Sequence, residues 1–226
     1  MESLVEMYEG TVVILQRELW KAFYETAIML IISISFSTVV GMVMGLYLYL
    51  TSHDFFNKNM IANNVIGWTI NIIRSIPFII LVVFTLPFTY LVTGTKIGPV
   101  AAAVPLSIAA TALFARIVES SLRSVNPGVI EAAFAQGASN GLIIRDVILV
   151  EAAPSIVRGI TIIFISLIGF SAMAGMVGGG GIGNLAIQYG YYRYETGVML
   201  FTIVTLVIAV QIIQFTGDRI ARALTH

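Results

Sequence analysis

The sequence predicts an all-α integral membrane protein with five transmembrane helices, and three observations carry that prediction. Of its 226 residues, 58% are hydrophobic and only 11% are charged, against roughly 25% charged in a soluble domain. Five stretches are long enough, and free enough of charge, to supply the about 20 apolar residues that a helix needs to cross the hydrocarbon core. None of them shows the strict apolar–polar alternation of a barrel strand. In lipid the backbone must satisfy its own hydrogen bonds, which favours closed helices.

Taken in chain order, residues 1–21 contain Glu2, Glu6, Glu9 and Glu18. They read as an N-terminal extracytoplasmic segment and not as a cleavable signal, which needs a basic start followed by a short apolar run. The transmembrane region spans 22–217. Its first span, 27–50, lies in the uncharged interval between Thr26 and His53 and carries Gly41 and Gly45, a G-x-x-x-G spacing that permits close helix contact. The second, 66–92, begins before Arg74 and continues through the uncharged run after it. The third, 99–116, starts at Pro99 and is rich in alanine. The run from Gly159 to Tyr192 is long enough for a fourth span, 159–177, and a glycine-rich exit loop. The fifth is 196–217, and 218–226 form a tail. Pro77, Pro87 and Pro105 fall inside spans, where proline introduces packing kinks or bends on which a helix can rock.

Five crossings put the termini on opposite sides. Arg17, Lys21, Lys96 and Arg193 then share one side. Lys58, Arg116, Arg123, Arg145, Arg158, Arg219 and Arg222 share the other. The side richer in Lys and Arg is expected to be cytoplasmic, leaving the N-terminus outside and the C-terminus inside.

Several functions lack the residues they would need. Twelve basic and twelve acidic side chains give no net charge, which argues against a nucleic-acid partner. There is no cysteine, and His53 and His226 have no metal-ligand spacing, so no metal site is expected. No G-x-x-x-x-G-K-[ST] phosphate loop is present. Gly181-Ile182-Gly183-Asn184-Leu185-Ala186 fits G-x-G-x-x-G/A, but that pattern has meaning only between a strand and a helix of a parallel sheet; here it reads as a turn or closely packed backbone. An intramembrane enzyme would need a catalytic set, and no span contains a histidine; no catalytic residue is expected. A secondary transporter would want ionisable residues at mid-membrane depth and internal repeats. Neither is visible.

The informative segment runs from Asn126 to Gly137. Asn126 is a good N-cap and Pro127 a natural first helical residue, while Gly137 can end a helix in the left-handed conformation. Val129, Ile130, Ala133 and Phe134 share one side at helical spacing. The result is a short amphipathic helix of about three turns whose apolar face suits a partner's groove. A second helix starts after Ser139 and runs back through Ile143, Ile144 and Ile148.

Glu131-Ala132-Ala133 followed by Gly137 resembles the EAA loop of ABC-importer permeases of the type I fold, within a loop 124–150. The chain departs from that pattern at the loop's exit, where Val150 follows Leu149 and the proline is delayed to Pro154. A narrower resemblance, to methionine-importer permeases, rests on Arg74-Ser75-Ile76-Pro77-Phe78-Ile79-Ile80-Leu81, on Gly169-Phe170-Ser171-Ala172-Met173-Ala174-Gly175, on Gln188-Tyr189-Gly190-Tyr191, and on Gln214-Phe215-Thr216-Gly217-Asp218-Arg219. It implies a permease subunit for methionine, L- and possibly D-, in a bacterial inner (cytoplasmic) membrane. It implies a homodimer, two copies of an ABC ATPase and an extracytoplasmic substrate-binding protein. ATP and Mg would be used by the ATPase, with no cofactor in this chain. Glu131, Ala132, Ala133, Phe134 and Gly137 become the ATPase-coupling residues. The alternatives are a permease for another small amino acid or organic solute, and a secondary transporter.

Pathway or gate candidates are Arg74, Ser75, Pro77, Phe170, Ser171, Met173 and Met176. Arg74 is the one charge inside a span; it either lines the pathway or snorkels to the interface. Met173 and Met176, with Phe170 and Ser171, could line a soft apolar constriction or simply pack. Asn71, Ser75, Ser107, Thr111 and Ser166 are candidates for interhelical hydrogen bonds.

Overall fold

The computed structural model of the chain describes residues 2–53, 56 and 58–225. Met1 and His226 lie outside the described residues, as do the side chains of Glu2, Glu6 and Glu9. Among the described residues there is no strand. The helices are α1 (Glu2–Ser52), α2 (Met60–Ser75), α3 (Phe78–Thr93), α4 (Pro99–Arg123), α5 (Pro127–Ala135), α6 (Asn140–Leu142), α7 (Leu149–Ala174), α8 (Gly181–Leu185) and α9 (Thr196–Ala223).

The N-terminal segment and the first span form one helix. No proline occurs before Pro77, and scattered charges do not interrupt the α-helical ladder. The 43 residues Gly10–Ser52 amount to about 64 Å, twice what the hydrocarbon core needs. The surplus is packed: Ile14, Leu15 and Leu19 lie against a small core of Ala22, Ile182, Leu185 and Val198.

The span expected over 66–92 is two helices. Pro77 has no N–H to continue the ladder, and its ring drives the preceding residue out of the α region. Ile76 accordingly sits at φ −84°, ψ 125°, and α2 and α3 diverge by 114°. By length and composition, four helices among the described residues can cross a membrane, or five if α2 and α3 together make one crossing.

The fourth span also differs from expectation. The Ser139 hydroxyl accepts a 3.4 Å hydrogen bond from the Leu142 amide. From there α6, a π-helical turn (Ile143–Ile148) and α7 continue as one helix from Asn140 to Met176, and the backbone turns out of it at Val177 (φ −106°, ψ 24°) and Gly178 (φ 94°). Pro154 lies within it.

The α1–α4 seam forms the centre. A Cβ on Gly41 would stand 3.0 Å from Phe114, and one on Gly45 would stand 2.6 Å from both the Ala115 carbonyl and the Val118 Cβ. The backbones therefore meet at a distance only glycine allows, and close van der Waals contact is the main force between helices in lipid. Phe114, Val118, Leu122, Ile163 and Leu167 fill the core between α4 and α7.

The two ends of the bundle are tied differently. At one end, the Gly98 amide donates to the Gly178 carbonyl at 2.9 Å. At the other, the Asn63 side-chain amide reaches back from α2 to the Leu48 carbonyl at 2.7 Å.

Candidate functional site

The helix carrying Glu131 is built by local rules. Asn126 caps α5, its side chain accepting from the Gly128 amide at 2.9 Å. At the far end Gly137 takes φ +80°; its amide donates to the Phe134 carbonyl at 2.9 Å and the Ala138 amide to the Ala133 carbonyl at 3.1 Å. This is a Schellman stop.

The apolar face of α5 points the opposite way from the expectation that it would be free for a partner. Ile130 is 1% exposed, Ala133 and Phe134 pack on the main core, and the Phe134 ring lies 6.1 Å from that of Phe56. The face is used to hold α5 to its own chain. What it presents outward is Val129, Glu131, Ala132, Ala135 and Gln136.

The pathway candidates separate into two groups. On α7 and the turn after it, Arg158, Ile162, Gly169, Met173 and Met176 are all exposed and recur at three- to four-residue spacing over a longer gap, so they share one face. Met173 is 44% exposed and Met176 54%. Phe170 flanks this face and stacks on buried Phe78, ring centroids 4.7 Å apart. Ser171 does not join them: it is buried, and its hydroxyl donates to the Ile168 carbonyl at 2.8 Å. Ser75 donates to the Asn71 carbonyl within α2, and Pro77 forms the break.

Arg74 is exposed and lines two neighbouring cavities. One, of about 350 Å³, is walled by Phe78, Leu81, Ala109, Leu113 and Phe170. The other, of about 430 Å³, is walled by Leu113, Arg116, Ser120, Ser155 and Arg158 among others.

Sequence reasoning missed a charge network beside these cavities. Glu119 is buried and takes Arg116 at 2.6 Å and Arg123 at 3.0 Å. Arg116 also donates to the Gly67 carbonyl at 2.9 Å and to Asn71 Oδ1 at 3.1 Å, and Arg123 reaches the Ser52 hydroxyl at 3.1 Å. The network joins α1, α2 and α4. The i,i+3 and i,i+4 spacing on α4 was the available signal. Of the polar residues proposed for interhelical bonds, Asn71 makes one. Ser75, Ser107 and Ser166 bond to carbonyls one turn back on their own helices. Thr111 Oγ1 is buried without a partner.

The G-x-G-x-x-A stretch is occupied by its own chain. The Gly181 amide donates to Glu25 at 2.7 Å and the Ile182 amide to Thr26 Oγ1 at 2.9 Å. These are the N–H groups at the start of the motif, and α1 takes them.

Residues 37–226 match the family described as binding-protein-dependent transport system inner membrane component. The chain is 42% identical over 205 residues to the probable D-methionine transport system permease protein MetI of Vibrio cholerae, covering 91% of each chain. It is 44% identical over 203 residues to the methionine import system permease protein MetP of Bacillus subtilis, covering 90% of this chain and 91% of that one. Among solved structures, one of inward-facing conformations of the MetNI methionine ABC transporter superposes with a TM-score of 0.89 at 44% identity, covering 94% of this chain and 98% of that one. An amino acid ABC transporter crystallised with histidines, 19% identical with a TM-score of 0.71 over 98% of this chain and 97% of that one, shows the fold alone.

Proposed function

Because the chain belongs to the family of binding-protein-dependent transport system inner membrane components, we propose that it is the permease subunit of an ATP-driven methionine importer in a bacterial inner membrane. Two copies pair to enclose the pathway, since one chain with at most five crossings is too small to surround a solute, and closed two-fold dimers are the commonest assembly. The chain crosses five times, α2 and α3 making one broken crossing, with its N-terminus outside. Two ATPase subunits, which bind ATP and Mg, engage the two α5 helices. A separate binding protein delivers L- or D-methionine. The chain itself hydrolyses nothing.

One observation supports the coupling role above the others. α5 is held from behind by Ile130 and Phe134 while Glu131 and Ala132 face outward, which makes it a handle fixed to the bundle. Closure of the ATPase pair draws the two handles together and moves the open face of α7, with Met173 near its far end, between outward and inward access. The substrate assignment rests on the methionine permeases that align with 90–91% of the chain at 42–44% identity.

The test is uptake of radiolabelled L- and D-methionine by a strain lacking its own methionine importers, with this chain, its ATPase and its binding protein expressed together or one short. Import is expected only with all three. Uptake that persists without the ATPase would sink the ABC reading, and uptake of other amino acids but not methionine would sink the substrate.

A further inference from the structure

The two cavities that share Arg74 have opposite characters. The larger is bordered by Arg74, Arg116 and Arg158 and by Ser120, Ser121 and Ser155, and no carboxylate lines it. Arg116 is already matched by Glu119. Arg74 and Arg158 have no carboxylate partner among the described residues, and both are exposed. Arg116 Nε, moreover, is buried with no acceptor. The smaller cavity is apolar apart from Arg74, its wall being the Phe78–Phe170 stack with Leu81 and Leu113. Both volumes fall in the roughly 300–1,000 Å³ range of small-molecule sites.

We propose that the pair forms a divided receptor for an apolar amino acid in transit: the Arg74–Arg158 cavity takes the carboxylate, and the Phe78–Phe170 cavity takes the side chain. This rests on the permease reading above and names how the substrate is held along that path. A compact anion beside two uncompensated guanidinium groups gains charge-assisted hydrogen bonds, and the serine hydroxyls offer further donors. Both arginines are exposed; on a water-filled path the attraction would be screened and the hold brief. Passage needs binding favourable enough to enter and weak enough to leave. Arg158 also begins the exposed face of α7 that ends at Met173 and Met176, so the cationic cavity lies at one end of the same track.

The test uses the complete complex of permease, ATPase and binding protein in proteoliposomes, comparing wild type with Arg158→Gln, Arg158→Lys, the Arg74→Gln/Arg158→Gln double variant and Ser120→Asp. Methionine imported per ATP hydrolysed should fall roughly tenfold in Arg158→Gln, as the loss of one charge-assisted bond implies, and further in the double variant. Lysine should restore most of it. Ser120→Asp, which sets a competing carboxylate in the cavity and leaves both arginines in place, should also reduce it. An unimpaired double variant overturns the proposal. So does equal loss in lysine and glutamine variants, which would mean a steric role. Defects that vanish when anionic phospholipid is replaced by phosphatidylcholine would assign the arginines to lipid headgroups and overturn it too. A wild-type complex that carries no amino acid would instead remove the permease reading itself.

Discussion

The Glu25 carboxylate on α1 accepts a 2.7 Å hydrogen bond from the Gly181 amide, 156 residues further along the chain. Thr26, next to it, takes the Ile182 amide. These bonds anchor the glycine-rich hairpin to the longest helix. Glu25→Ala leaves a part-buried N–H unmatched and should cost about 1–3 kcal/mol. Glu25→Gln, which keeps an acceptor, should cost less. Thermal unfolding of the purified permease, with limited proteolysis around residues 175–192, checks the order; equal stability of all three proteins would refute it.

The α1–α4 seam makes a second prediction. Gly45→Ala places a Cβ 2.6 Å from backbone and branched side chain alike. Neither can yield cheaply, so a loss of about 1–3 kcal/mol is expected. Gly169→Ala meets no atom within 4 Å and should leave the folded yield unchanged. Detergent-solubilised yield by fluorescence-detected gel filtration compares the two, and a well-behaved Gly45→Ala would contradict the packing argument.

At the end of α5, a Cβ on Gly137 meets nothing within 4 Å, so the constraint there is its backbone, at φ +80°. Gly137→Val should strain the stop by about 1–3 kcal/mol and abolish import while membrane insertion persists. Gly137→Asn tolerates the conformation and should retain import. Full import by the valine variant would count against the coupling role of this turn.

Glu119 compensates two arginines. Glu119→Ala should destabilise the permease by about 2 kcal/mol, below the 3–5 kcal/mol of a fully buried pair because Arg123 is half exposed. The second change, Arg116→Met, should recover part of that loss by removing the stranded charge. Melting curves of the single and double variants decide the matter; additive losses would deny the coupling.

Met173→Ala widens the exposed face of α7 without touching α5. Co-purification of the ATPase should be unaffected while methionine flux or leak changes. Dissociation of the complex would show that Met173 has a structural role.

Local chemistry was legible in the sequence. Asn126, Pro127, Gly137 and Ser139 set helix ends through contacts within a few residues, and each stands where the sequence put it. Gly41 and Gly45 were also readable, because a regular spacing on one helix implies a close neighbour. The sharpness of the Ile76–Pro77 break is hidden in the sequence, since hydropathy runs smoothly through it and says nothing about direction. The inward turn of the α5 apolar face could not be read, because Phe56 and the core that receive Ile130 and Phe134 come from distant parts of the chain. The roles of Glu25 and Glu119 between helices could not be read either, because the partner of Glu25, and the groups that the arginines on Glu119 reach in turn, are fixed by packing between parts of the chain far apart in sequence.

The continuous helix from Asn140 to Met176, ended by the kink at Val177 and Gly178, has the shape of a lever. It lies against α4 at Gly159, where an added Cβ would stand 2.5 Å from Ile117, and a tilt about that contact is the motion the close approach allows. With arms of about 30 Å on either side, a tilt of only five degrees sweeps each tip through roughly 2–3 Å in opposite senses. On the coupling proposed above, a modest push on the end beside α5 would reach the two methionines at the other tip reversed in direction.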